Sequence, residues 1–137
     1  MRGFRVLWAG ATGYALDSLI LSPFLVFGTS WPLAGLDNFA DLNFSNPIHV
    51  LVGLILPVLM TVISGGVAGA MAPEDPRDAG ALVGGFGLGV MALASLSDGF
   101  ADYGPYALAF IIGQCVGTVL AAVAAVMVAN YRRRQQA

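Results

Sequence analysis

Apolar residues along this chain gather into four long runs, about 4–27, 48–71, 79–97 and 106–129, separated by three polar breaks. Each run is close to the roughly 20 residues an α-helix needs to cross a hydrocarbon core of about 30 Å. Backbone amides cannot be left bare in lipid, so runs of this kind are expected to be helical. The pattern predicts an all-α membrane protein: a four-transmembrane-helix bundle forming a single domain over residues 1–137.

The first polar break, residues 28–47, is long and mixed. Leu33, Leu36, Phe39 and Ala40 recur at helical spacing, with Asp37 and Asp41 on another face. A short amphipathic helix lying on the outer interface is the simplest expectation. A lid over a cavity is the sharper one. The first run also resembles a signal peptide at its start, with Arg2 and Arg5. However, Asp17 interrupts it, and Phe27-Gly28-Thr29-Ser30-Trp31 is a poor cleavage site, so a retained span is expected.

Composition supports burial in lipid. Hydrophobic residues make up 58% and charged residues 10% of the chain, against about 25% charged in a soluble domain. So few charges cannot cover a water-facing surface. The net charge of −2 and the lack of a basic stripe argue against a nucleic-acid partner. The lipid bilayer is the expected partner, with a second copy or another membrane subunit open as a protein partner.

Where the charges fall sets an expected orientation. Arg2 and Arg5 precede the first run, Arg77 lies in the second break, and Arg132, Arg133 and Arg134 follow the last run. The first and third breaks carry Asp37, Asp41, Asp98 and Asp102 but no basic residue. Four spans put every arginine on one side. The positive-inside rule makes that side cytoplasmic, with both termini there and the chain in the plasma membrane. Arg132 to Arg134 read as a stop-transfer anchor contacting anionic lipid.

Many of the 18 glycines are four residues apart. Gly65 and Gly69 share a face in the second run, as do Gly80 and Gly84, and Gly85 and Gly89, in the third. Gly113 and Gly117 do so in the fourth, continued by Ala121 and Ala125. In lipid such glycine-zipper stripes let backbones approach closely and gain van der Waals energy. Packing within the chain and packing against a second copy both fit. Pro57, and Pro23 in the first run, each remove a backbone donor, so bends are expected there. Asp78 reads as the N-cap of the third helix.

The segment with Gly65-Gly66-Val67-Ala68-Gly69, the turn Arg77-Asp78-Ala79-Gly80 and the glycines 84, 85, 87 and 89 resembles a glycine-rich hairpin. It is the hairpin of small uncharacterised membrane proteins of haloarchaea. That resemblance covers about half the chain and implies no activity.

Candidate chemistry is sparse. Cys115 and His49 are the only residues of their kinds and lie at different expected depths, so no nucleophile–base pair and no His/Cys metal site is expected. No cofactor and no enzymatic activity is expected. Asp17 stands out instead. It sits near the middle of the first span, roughly 15 Å from the outer end at 1.5 Å per residue. An ionised carboxylate at the centre costs about 2.5–3.5 kcal/mol on insertion scales. The side chain is therefore expected to face a polar interior or to carry its proton. Gln114, Tyr14 and Thr61 fall at comparable depths and complete a candidate polar cluster.

Two roles for this cluster stay open. In one, Asp17 is a buried acid, hydrogen-bonded to Gln114, that fixes helix register. In the other it is a proton or cation site in a small oligomeric transporter or channel. Four spans with one acid in the first are similar in layout to the small multidrug resistance family, which implies a coupling role for Asp17.

Overall fold

The computed structural model describes residues 2–24, 35–36, 42–96 and 107–136. Among the described residues the regular structure is all helical. Helix α1 runs Arg2–Leu16 and continues without a break as a π-helical segment, Asp17–Leu21. Helix α2 spans Pro47–Met71, α3 spans Pro76–Leu96 and α4 spans Ala107–Gln136. The parts of α2, α3 and α4 within Pro47–Met71, Pro76–Ala94 and Leu108–Gln136 are each long and apolar enough to cross a membrane. In α1 the polar Thr12, Tyr14, Asp17, Ser18 and Ser22 dilute the apolar residues, and it is not among them.

The helix starts and stops have local causes. Asn46 caps α2, its side chain accepting from the Ile48 N–H at 3.0 Å, and Pro47 follows at the first helical position. Proline fits there because that N–H would lack a partner anyway. The same device starts α3 at Pro76, with the Asp75 carbonyl accepting from the Ala79 N–H at 3.2 Å. Asp78 therefore lies in the first turn of α3, not at its cap. Helix α4 continues through the arginines to Gln136, well past the expected end near residue 129.

The two prolines inside helices act alike. Each follows, after one intervening residue, a five-residue π-helical segment: Asp17–Leu21 before Pro23, and Leu51–Ile55 before Pro57. In both, the bond closing the segment reaches back five residues, Ser22 N–H to Asp17 O and Leu56 N–H to Leu51 O. A proline ring crowds the carbonyl four residues before it, and a widened turn relieves that crowding.

Helices α2 and α3 lie together at the centre. Helix α4 packs on both, and α1 packs on both from the other side. Glycine explains how closely. A Cβ on Gly65 would come within 2.6 Å of the Ala121 carbonyl oxygen, and one on Gly69 within 2.5 Å of the Ala125 Cα. Gly80 meets the Ala121 carbonyl and Ala125 in the same way, and Gly84 abuts Thr118. Helix α1 docks through glycine too: Gly10 faces Leu82, and Gly13 faces Val83 and the Ser64 carbonyl. By contrast, Gly85 and Gly89 are exposed and meet nothing within 4 Å.

Apolar residues stay exposed along every helix, from Phe4, Trp8, Leu19 and Phe24 on α1 to Val119, Val123 and Met127 on α4. The small buried core near one end comprises Ala9, Ala68, Ala72, Ala79 and Val83. At the other end Leu36 and Leu42, from the first connection, are buried with Val52 and Phe110. Phe44 meets Phe110 edge-on, 6.0 Å between ring centres. The described part of that connection thus caps the end of the bundle. Leu33, Asp37, Phe39, Ala40 and Asp41, which carry the expected interfacial helix, lie outside the described residues.

Candidate functional site

Asp17 opens the π-helical segment of α1 and is buried, 8% exposed. Its two carboxylate oxygens have different hydroxyl partners. Thr61 Oγ1, on α2, donates to Oδ2 at 3.0 Å. Ser22 Oγ, further along α1, donates to Oδ1 at 3.2 Å. Of the four residues expected to cluster, the structure joins Asp17 and Thr61.

The other two go elsewhere. Gln114 Nε2 donates to the Gly84 carbonyl at 3.2 Å, so it ties α4 to α3 and not to α1. Gly87 leaves the space this amide needs, since a Cβ there would lie 2.9 Å from Gln114 Cδ. Tyr14 turns its ring towards Phe86 on α3, with 5.8 Å between centres. For Gln114 the cause is placement: α1 and α4 flank the central pair from opposite sides, so equal depth does not make their side chains neighbours.

The Thr61 hydroxyl has one proton and two acceptors in reach: Asp17 Oδ2, and the Pro57 carbonyl one turn back at 3.2 Å. It can donate to one at a time while accepting on its own lone pairs. A carboxylate at position 17 accepts the Thr61 hydrogen bond. A carboxylic acid there can donate to Thr61 Oγ1, which then turns its own proton to Pro57 O. The site therefore accommodates both protonation states without moving a helix.

One turn further along α2, Ser64 is fully buried, and its Oγ has no hydrogen-bond partner among the described residues. Buried hydroxyls nearly always find one. Ser64 was not singled out by depth or spacing. Its position three residues after Thr61, on the same face, is the signal that would have found it.

Removing the Asp17–Thr61 bond has a measurable cost. A double-mutant cycle with Asp17→Ala and Thr61→Val is expected to give a coupling of about 0.5–1.5 kcal/mol, the scale of interhelical hydrogen bonds in membranes. Pairing Asp17→Ala with Thr118→Val should give none, because the Thr118 hydroxyl donates to the Gln114 carbonyl of its own helix at 2.7 Å. Unfolding free energies in detergent micelles read both cycles. Equal couplings would remove Thr61 from the site.

Among the described residues no group of three or more His, Cys, Asp or Glu side chains could hold a metal ion. Comparison of the chain with family models, curated proteins and solved structures returns no match.

Proposed function

We propose that this chain is a non-enzymatic four-span protein of the plasma membrane, with both termini cytoplasmic, serving as a structural or accessory subunit. The observation that carries this reading is the use made of the polar groups inside the bundle. Asp17 and Thr61 tie α1 to α2, and Gln114 ties α4 to α3. Thr12, Ser18 and Thr118 bond back to their own helices. The first two contacts hold neighbouring helices together, and the rest satisfy polar groups within their own helices.

Support for α1 as the fourth span comes from its apolar exposed face, which extends from Phe4 to Phe24. At 1.5 Å per residue that face is about 30 Å long, the thickness of the hydrocarbon core. The outward Gly85–Gly89 face of α3 suits close approach by a helix of a second copy or another subunit. The protein extracted in mild detergent should then keep a stable companion, lost on Gly85→Leu. A lone monomer would count against a subunit role.

A second reading rests on Ser64. Ser22 and Thr61 donate to the buried Asp17, and Ser64 stands three residues after Thr61 on the same helix face, which places the polar groups a short proton path needs around one acid. Under it, Asp17→Asn abolishes proton flux in liposomes while the protein still inserts. Under the structural reading, Asp17→Asn leaves every flux unchanged and alters only thermal stability.

A further inference from the structure

The end of α2 that carries Met71 is unusual in what covers it. The last carbonyls of a helix have no partner within the helix. Here arginines from two other helices supply one. Arg5 Nε, on α1, donates to Met71 O at 3.2 Å. Arg132, on α4, donates to Ala70 O at 3.3 Å, and Arg133 donates to Pro73 O. Arg5 also pairs with Glu74 at 3.1 Å.

These three guanidinium groups line a notch of about 200 Å³, floored by Ala70, Pro73 and Ala129. That is several times the ~30 Å³ share of a water molecule. Each guanidinium has five N–H donors, and the carbonyls engage only part of them. The charges do not cancel either. The α2 terminus counts as about half a negative charge, and Glu74 adds one. Against three arginines this leaves an excess of roughly one and a half positive charges facing a small polar hollow. The lining suits an anion with several oxygens, which guanidinium forks grip in pairs.

We infer that this notch binds a phosphate ester, held by Arg5, Arg132 and Arg133 against the end of α2. On the positive-inside orientation it opens at the cytoplasmic leaflet, where anionic lipid headgroups concentrate. A lipid headgroup and a soluble phosphate share the required chemistry. The site differs from a general basic tail because Arg134, next in sequence and exposed like the other three arginines, does not line it.

The test uses the full chain purified in mild detergent, with two probes read by native mass spectrometry and thermal shift. Phosphatidylglycerol should be retained at least tenfold over phosphatidylcholine. Arg132→Gln or Arg133→Gln should cut retention about fivefold each, the effect of one basic residue near an anionic surface. Arg134→Gln should leave retention unchanged. Inorganic phosphate is the second probe. Stabilisation by it that depends on the lining arginines, without lipid preference, places the same site in the service of a soluble phosphate. If Arg134→Gln weakens retention as much as Arg133→Gln, the attraction is general and the site is overturned. Should the glutamine variants fail to fold, the wild type decides alone, since selective retention of neither probe also overturns the inference.

Discussion

Gly69→Leu is expected to destabilise the bundle by about 3 kcal/mol or more. A side chain at position 69 meets backbone, not a flexible tip: its first carbon would lie 2.5 Å from both the Cα and the carbonyl oxygen of Ala125. Extra carbon in a well-packed core typically costs about 1–3 kcal/mol, and the lower figures apply where neighbours can turn aside. Ala125 cannot. Relief requires α2 and α4 to separate, which also strains the Gly65–Ala121 approach one turn away. Gly85→Leu and Gly89→Leu add the same volume where nothing lies within 4 Å. They should change the stability of the isolated bundle by no more than about 0.5 kcal/mol. Unfolding in mild detergent separates the two classes. Similar losses at positions 69 and 85 would show that glycine contacts do not hold α2 to α4.

This contrast also marks where sequence reasoning stops. Hydropathy places α2, α3 and α4, because twenty apolar residues in a row have few other uses. The four-residue glycine spacing marks Gly65, Gly69, Gly80 and Gly84, and a Cβ at each would lie within 2.6 Å of α4. It cannot tell the Gly80–Gly84 stripe from the Gly85–Gly89 stripe, which has the same spacing and faces outward. Rotation of a helix about its axis is set by its neighbours, and the order of neighbours is not written in any one helix. The same gap explains Gln114. Its depth matches Asp17, but its direction is towards α3. Thr61 was matched by depth alone as well, and it meets Asp17 because α1 and α2 do pack together.

Other features were legible only in part. Pro23 and Pro57 signalled irregular helix, but not that the irregularity would be a widened turn. Gly10 and Gly13 are spaced by three and lie in the least apolar run, so no four-residue stripe marks them, yet they seat α1 against Leu82 and Val83. The arginines after residue 131 read as an anchor. That α4 stays helical long enough to bring two of them onto the end of α2 depends on where α2 stops in space. Asp17 was legible as a costly group. Its hydroxyl partners follow from the helix pairing, not from its own segment.

The central claim is that α1 crosses the membrane with the other three helices, so that Asp17 lies inside the bilayer and the basic ends share one side. Single cysteines in a Cys115→Ser background test it in intact cells with a membrane-impermeant thiol reagent. Gly3→Cys lies at the exposed start of α1, and Asp37→Cys lies in the first connection, beyond it. Four spans with cytoplasmic termini predict labelling of Asp37→Cys without lysis and of Gly3→Cys only after it. Labelling of Gly3→Cys in intact cells, or protection of Asp37→Cys until lysis, would contradict the account.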